Sequence, residues 1–303
     1  MDHASRRKQL LATYPEVRAL CGPEPRSKYL ALALVAAQLG LACTAGWWQS
    51  TTSYLAVAYV GGATVAQSLF LAVHELAHNL FFRSILANKL FSILVNLPLL
   101  FPFAIVFRTY HLLHHAQQGQ VGYDMDLPSP LEQRAVRGPV TKALWLSAQL
   151  VFYALRPCAL MPLRPTAWVV LNWAAQLAFN IALVHAVGWG AVRFLLLSLL
   201  VAGGLHPCAG HFLSEHMLFG ADEGPQDTFS YYGPLNRLTW NVGYHVEHHD
   251  LPSVPGSRLP ALRRKAAPFY EGLTTRASWA GLLVTFVASP RVGLHSRLAL
   301  HAE

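Results

Sequence analysis

Residues 29–74 read YLALALVAAQLGLACTAGWWQSTTSYLAVAYVGGATVAQSLFLAVH and contain no Asp, Glu, Lys or Arg across 46 consecutive positions. At about 1.5 Å of helix per residue this is roughly twice the length that a ~30 Å hydrocarbon layer needs, so the stretch holds two crossings with a turn between them. The turn falls at Gly46-Trp47-Trp48-Gln49-Ser50, where paired tryptophans suit a headgroup interface, and predicts spans near 29–48 and 53–74.

Outward from this pair the same pattern returns. Residues 165–192 and 194–214 are uncharged and only Arg193 separates them, which predicts spans near 166–187 and 191–212. The turns within the two pairs, around 49–52 and 188–190, carry no Lys or Arg. Six of the 23 basic residues lie in 1–28, eight in 81–164 and seven in 258–303. The positive-inside tendency therefore puts the amino terminus, the central segment and the tail on the cytosolic side, with the even parity that four crossings provide. A fifth apolar run, Leu90 to Phe107, contains Asn96, Pro98 and Pro102. A full crossing there would break the charge rule, so it is read as a re-entrant or interfacial hairpin. Residues 143–155 are too short to span and are read as an interfacial helix. No apolar stretch opens the chain, so no cleaved signal peptide is expected.

The composition agrees. Of 303 residues, 53% are hydrophobic and only 13% charged, too few charges to coat a soluble globule and too much apolar content for a disordered chain. The expected fold class is all-α: a multi-pass membrane protein of about four transmembrane helices, with a cytosolic helical cap carrying a histidine-ligated dimetal site. Three parts follow: a cytosolic amino-terminal segment (1–28), a membrane domain with the histidine clusters (29–257) and a basic cytosolic tail (258–303). Cys21, Cys43, Cys158 and Cys208 form no Cys-x-x-Cys pair, which argues against a disulfide framework or thiolate zinc site.

Histidine is the unusual residue, at 15 copies, nine of them clustered. His74-Glu75-x-x-His78 places two rings on one helical face. Tyr110-His111-x-x-His114-His115 and Tyr244-His245-x-x-His248-His249 each place three, and Glu215-His216 adds a ninth. Each cluster sits at or beyond a cytosolic membrane boundary, so topology brings all nine into one layer. Lone histidines are most often solvated or capped, and His3, His185, His295 and His301 are read that way; His206 and His211, one or two turns before His216, are left open. Nine imidazoles exceed one tetrahedral zinc. Shared between two octahedral metals they supply four or five ligands each and leave open positions, which suits iron and oxygen activation. Glu75, Glu215, Glu247 and Asp250 stand beside the ligands as candidate acceptors for ring N–H groups. His74-Glu75-x-x-His78 is also the zinc-protease signature, with Glu75 as general base. That reading lacks a third ligand in the uncharged later spans and leaves seven clustered histidines without a role; a non-catalytic receptor with a structural metal needs neither nine ligands nor open coordination.

At these residues the sequence resembles the membrane fatty acid desaturase superfamily, and more narrowly the sphingolipid delta-4 (dihydroceramide) desaturases. The narrower likeness is carried by Asp2-His3 with Arg6-Arg7, Tyr14-Pro15-Glu16, Asn96-Leu97-Pro98, Asp124-x-Asp126-Leu127-Pro128, Gly204-Leu205-His206-Pro207 and the run from Ser230 to Gly256. The resemblance implies a non-haem diiron enzyme of the endoplasmic reticulum. It would use dioxygen and electrons from reduced cytochrome b5, supplied by its NADH-dependent reductase, to insert a trans 4,5 double bond into dihydroceramide. His206-Pro207 continues with Cys208 and not the Gly-Gly of the cytochrome b5 haem motif, so the donor is expected to be a separate acidic protein, suited to a chain of net charge +8. The expected partners are thus that donor pair, the ceramide-type substrate and the bilayer, with no nucleic acid. Asp124, Asp126, Asn241 and Tyr244 are candidate head-group contacts. A sphingolipid C4-hydroxylase or dual-function enzyme shares the first hydrogen abstraction, and an acyl-lipid desaturase shares the boxes, so both stay open as alternatives. Leu113 departs from the family, whose second box usually carries an acidic residue there, and one acceptor for a ring N–H is lost with it.

Overall fold

Ser27–Cys43 and Thr51–Ala77 are the two helices that the opening stretch predicts, and they meet at a turn carrying Trp47 and Trp48. The computed structural model describes residues 2–48, 50–220, 223 and 226–297; Gln49 of the turn, His301 and the last residues of the tail lie outside them. Helix α1 (His3–Thr13) precedes α2 (Ser27–Cys43). The second long helix is α3 (Thr51–Val57), a π-helical segment (Ala58–Ala63) and α4 (Thr64–Ala77) in continuous succession. The extra residue of a π turn lets Gly62 lie against Ser198 and Phe194 of the facing helix, where any side chain would collide.

The run with Asn96 and the prolines folds as a hairpin. Helix α5 (Ile85–Asn96) and α6 (Ala104–Ala116) meet at 112°. The Asn96 side chain makes the corner: its amide donates to the Phe101 carbonyl at 2.7 Å, and its oxygen accepts from the N–H groups of Phe103 and Ala104 at 3.0 and 2.9 Å. A buried side chain thus satisfies backbone groups that lack helical partners.

Next come α7 (Pro130–Ala135), α8 (Pro139–Ser147) and α9 (Gln149–Leu160), then the apolar α10 (Ala167–Ala186) and α11 (Trp189–Gly204). Two expectations differ here. Residues 143–155 form two helices bent by 77° at Ala148, because that residue leaves the helical region (φ −104°, ψ 8°). The run 191–212 is likewise broken: α11 ends at Gly204 and α12 (Gly210–Ser214) resumes at 47°. Pro207 supplies no N–H and drives the preceding His206 to an extended conformation (ψ 143°), and the Leu146 carbonyl approaches Gly204 where a Cβ would stand.

The remaining elements are short: β1 (Ser230–Tyr231) paired in parallel with β2 (Thr275–Arg276), α13 (His245–Asp250), α14 (Leu259–Lys265), α15 (Ala267–Tyr270) and α16 (Trp279–Ala288). Two apolar clusters position the site. Leu69, Ala72, Val73 and Leu76 of α4 pack with Val95, Ala104 and Leu199, which fixes the end of α4 against α6. Leu10 and Val17 from the amino-terminal segment pack with Val246, Leu251, Leu259 and Leu262, which seats α13.

Candidate metal centre

Four elements deliver the nine clustered rings to one place. His74 lies in the last turn of α4 with His78 at its cap, α6 carries His111, His114 and His115, His216 follows α12, and α13 carries His245, His248 and His249. The i, i+3, i+4 spacing on α6 sends His111 and His115 one way and His114 the other, so the helix serves two groups.

Ligating atoms of His74, His78, His111, His115 and His248 lie within 4.8 Å of one another. Within this group His78 Nε2 is 2.8 Å from His111 Nε2, and His115 Nε2 is 3.1 Å from both His111 Nε2 and His248 Nε2. A second group joins His114, His216 and His249. His245 belongs with it, its Nε2 standing 3.0 Å from that of His216 and 3.1 Å from that of His249. The groups touch where the rings of His115 and His249 stack at 4.1 Å. Five rings therefore surround one point and four the next.

The donor chemistry fits a cation. His114 Nδ1 faces the Asp124 carboxylate at 2.9 Å, and His216 Nδ1 faces the Asp227 carbonyl at 3.1 Å. Both of these oxygens only accept, which favours a proton on each Nδ1 and leaves each Nε2 to face the neighbouring ring; the Gln118 amide nitrogen also lies 3.1 Å from His216 Nδ1. Those two Nε2 atoms are 3.2 Å apart and buried. Imidazole nitrogens converging at this distance suit joint ligation of a metal ion. Burial first, then neighbouring rings, hold His245, His248 and His249 well below the ordinary imidazole pKa, in the neutral form a metal needs.

The carboxylates divide. Glu215 accepts from His211 Nδ1 at 2.8 Å and lies 3.5 Å from His245 Nδ1, so it stands beside a clustered ring. Asp250 instead faces His3 and Arg6. Glu247 accepts from Ser230 and Tyr232 hydroxyls at 2.8 and 2.7 Å. Glu75 accepts from the Gly256 N–H at 3.0 Å, which turns it away from the role of a protease base. Of the head-group candidates, Asp124 faces His114, and Asp126 lies 3.3 Å from Arg297 and 3.9 Å from His114. Asn241 donates to the Gly256 carbonyl at 2.9 Å, and Tyr244 packs edge-on to Tyr232.

Three residues outside the expected ligand set stand beside the rings. His3, read as solvated, bonds Asp250 at 2.6 Å and is a correction to that reading, whereas His185 and His295 are exposed. Asp124 supplies the ring acceptor that Leu113 does not, from ten residues along the chain. His211 is buried between Glu215 and the Phe212 ring.

The comparisons agree with this geometry. The model of the fatty acid desaturase family matches residues 45–281, which include all nine clustered rings, and that of the sphingolipid delta4-desaturases matches residues 2–26. The chain belongs to the fatty acid desaturase family, and within it to the sphingolipid delta(4)-desaturases. It is 43% identical to a sphingolipid delta(4)-desaturase-like protein of Oryza sativa subsp. japonica, over 98% of this chain and 89% of the other. It is 42% identical to a sphingolipid delta(4)-desaturase of Drosophila melanogaster, over 98% and 92%. It is also 42% identical to a sphingolipid delta(4)-desaturase/C4-monooxygenase of Homo sapiens, over 98% and 91%.

Proposed function

We propose that this chain is a sphingolipid delta-4 desaturase, an oxidoreductase that converts dihydroceramide to ceramide at a diiron centre held by the nine clustered histidines. The observation that carries the reading is the pair of adjoining ring groups, five and four, with Nε2 atoms turned toward one another. In this reading the chain makes four crossings, the last of them broken at Leu205-His206, and the site faces the cytosol at the endoplasmic reticulum membrane with both termini on that side; the charge distribution along the chain supports it. The two irons would supply the dioxygen-derived oxidant that an unactivated C–H bond requires, since no acid or base side chain can break one.

What this chain contributes is placement and exclusion. His114, His216 and the α13 rings are buried, so water reaches the reacting carbons poorly. The amide and hydroxyls of the substrate stay at the interface while its chains enter the apolar layer, which fixes carbons 4 and 5 against the rings. Electrons come from reduced cytochrome b5 and its NADH-dependent reductase, drawn to a basic cytosolic surface. The name of the human relative also includes a C4-monooxygenase, which favours dual function as the second reading.

Expression in a host lacking this desaturation, followed by mass spectrometry of sphingoid bases and fatty acids, tests the proposal. Loss of two hydrogens from the long-chain base is the expected result. A gain of one oxygen alone supports the hydroxylase, and new unsaturation confined to fatty acyl chains contradicts the substrate assignment.

A further inference from the structure

Helix α13 is only six residues long, yet it carries three clustered rings. A helix of that length has no stability of its own, so its orientation depends on what grips it from outside. The grip comes from the amino-terminal helix. His3 Nδ1 donates to Asp250 Oδ1 at 2.6 Å, and Arg6 approaches the same oxygen at 3.3 Å. Arg7 donates through Nε to the Asp250 carbonyl at 2.7 Å and through Nη2 to the His249 carbonyl at 3.4 Å, capping the end of α13. Leu10, on the same helix, is fully buried against Val246 and Leu251.

His3 reaches the four-ring group twice. Its ring lies 5.0 Å from that of His249, and its Nε2 takes the Thr228 hydroxyl at 2.8 Å. Thr228 Oγ1 stands 3.4 Å from His216 Nδ1, beside the Asp227 carbonyl that sets the proton on that ring. One residue near the start of the chain thus touches the supports of both His249 and His216, 246 and 213 positions away. Neither of these two links ends on a ring of the five-ring group, although α13 also carries His248 of that group.

We propose that the amino-terminal helix clamps α13 as a whole and that within this clamp His3 is a positioning residue for the four-ring metal site, acting through Asp250 and Thr228 on His249 and His216. The proposal rests on the diiron reading and adds a division of labour to it. All nine rings lie in the portion matched by the fatty acid desaturase model, whereas His3, Arg6 and Arg7 lie in the portion matched by the sphingolipid delta4-desaturase model. The segment matched by the sphingolipid model is therefore seated on α13, with His3 beside the four-ring group.

The test measures iron per chain and Mössbauer spectra of purified full-length protein during dialysis against a chelator, for the unaltered chain, His3→Phe, His3→Gln and Thr228→Val, with exposed His185→Ala as control. Outer partners of metal ligands are typically worth about 10–100-fold in metal affinity. His3→Phe keeps the ring and loses both hydrogen bonds; it should lose one iron about 10–100-fold faster and keep the other at the unaltered rate. Thr228→Val should do the same from the far end of the link, and His3→Gln, which can still bond Asp250, should recover part of the loss. Equal loss of both irons, or a fall in melting temperature without selective iron loss, would show a general packing role and overturn the clamp. Retention of both irons in His3→Phe and Thr228→Val would overturn it too, with the diiron reading intact. Fewer than two irons in the unaltered chain would defeat the diiron reading and the clamp with it.

Discussion

His248→Ala is expected to insert into the membrane and to form no detectable 4,5 double bond. His248 is the ring of α13 that joins the five-ring group, 3.1 Å from His115 through Nε2 and with ring centroids 4.7 Å from both His74 and His78. Its removal opens a site shared by α4, α6 and α13 and takes one ligand from the metal proposed there. The expected loss exceeds the ~100-fold that outer partners reach, and iron per chain falls with it. Sphingoid-base mass spectrometry and elemental analysis of the same preparation check both statements. The same substitution at exposed His185 leaves activity unchanged, and comparable losses at the two positions would reduce the cluster to a structural feature.

The second large effect is on stability. Arg156 and Glu132 form a buried pair with two contacts, Nε to Oε2 at 2.8 Å and Nη2 to Oε1 at 2.6 Å, and Trp145 Nε1 adds a third donor at 3.1 Å. Arg156 also donates to the Met125 carbonyl at 3.0 Å, beside the Asp124 that orients His114. Arg156→Met leaves Glu132 buried and unpaired, which typically costs about 3–5 kcal/mol. The melting temperature in detergent should fall accordingly, and the His114 side of the metal centre should loosen.

The same pair sets an acid limit. Burial pushes the Glu132 carboxyl upward, but hydrogen bonds from Arg156 and Ser129 outweigh it and hold the pKa down to about 2, against an ordinary 4.5. Between those values the unfolded chain binds the extra proton, so the stabilisation is complete above about pH 4.5 and is lost as the pH falls toward about 2. Melting temperatures followed through that window should decline in the unaltered chain. In Arg156→Met this part of the decline should be missing, and an identical slope in both would contradict the account.

The parts legible in the sequence are those encoded locally. Spacings of three and four along a helix announce ring clusters without any tertiary information, and a 46-residue run without charge announces two membrane helices. The prolines and Asn96 mark the hairpin for the same reason, because backbone groups they leave unpaired must be met nearby. What the sequence conceals is pairing across distance. His3 resembles any solvated histidine until α1 folds onto Asp250, 247 residues away. Asp124, a head-group candidate in the sequence, shows its bond to His114 only once the loop after α6 returns it there. The carboxylates next to the boxes invite a role toward the rings, yet on a tightly packed helix the neighbour of an inward residue points elsewhere, and Glu75 and Glu247 find Gly256 and Tyr232 instead. The break at Leu205-His206 was signalled by Pro207, but hydropathy alone runs across it.

The most direct test of the central claim is the metal content of the purified, full-length protein, determined by elemental analysis together with Mössbauer spectroscopy of iron-57-enriched material. The account predicts two irons per chain in histidine-rich environments that differ from each other, as five-ring and four-ring sites must. A single metal per chain, or zinc in place of iron, would contradict it.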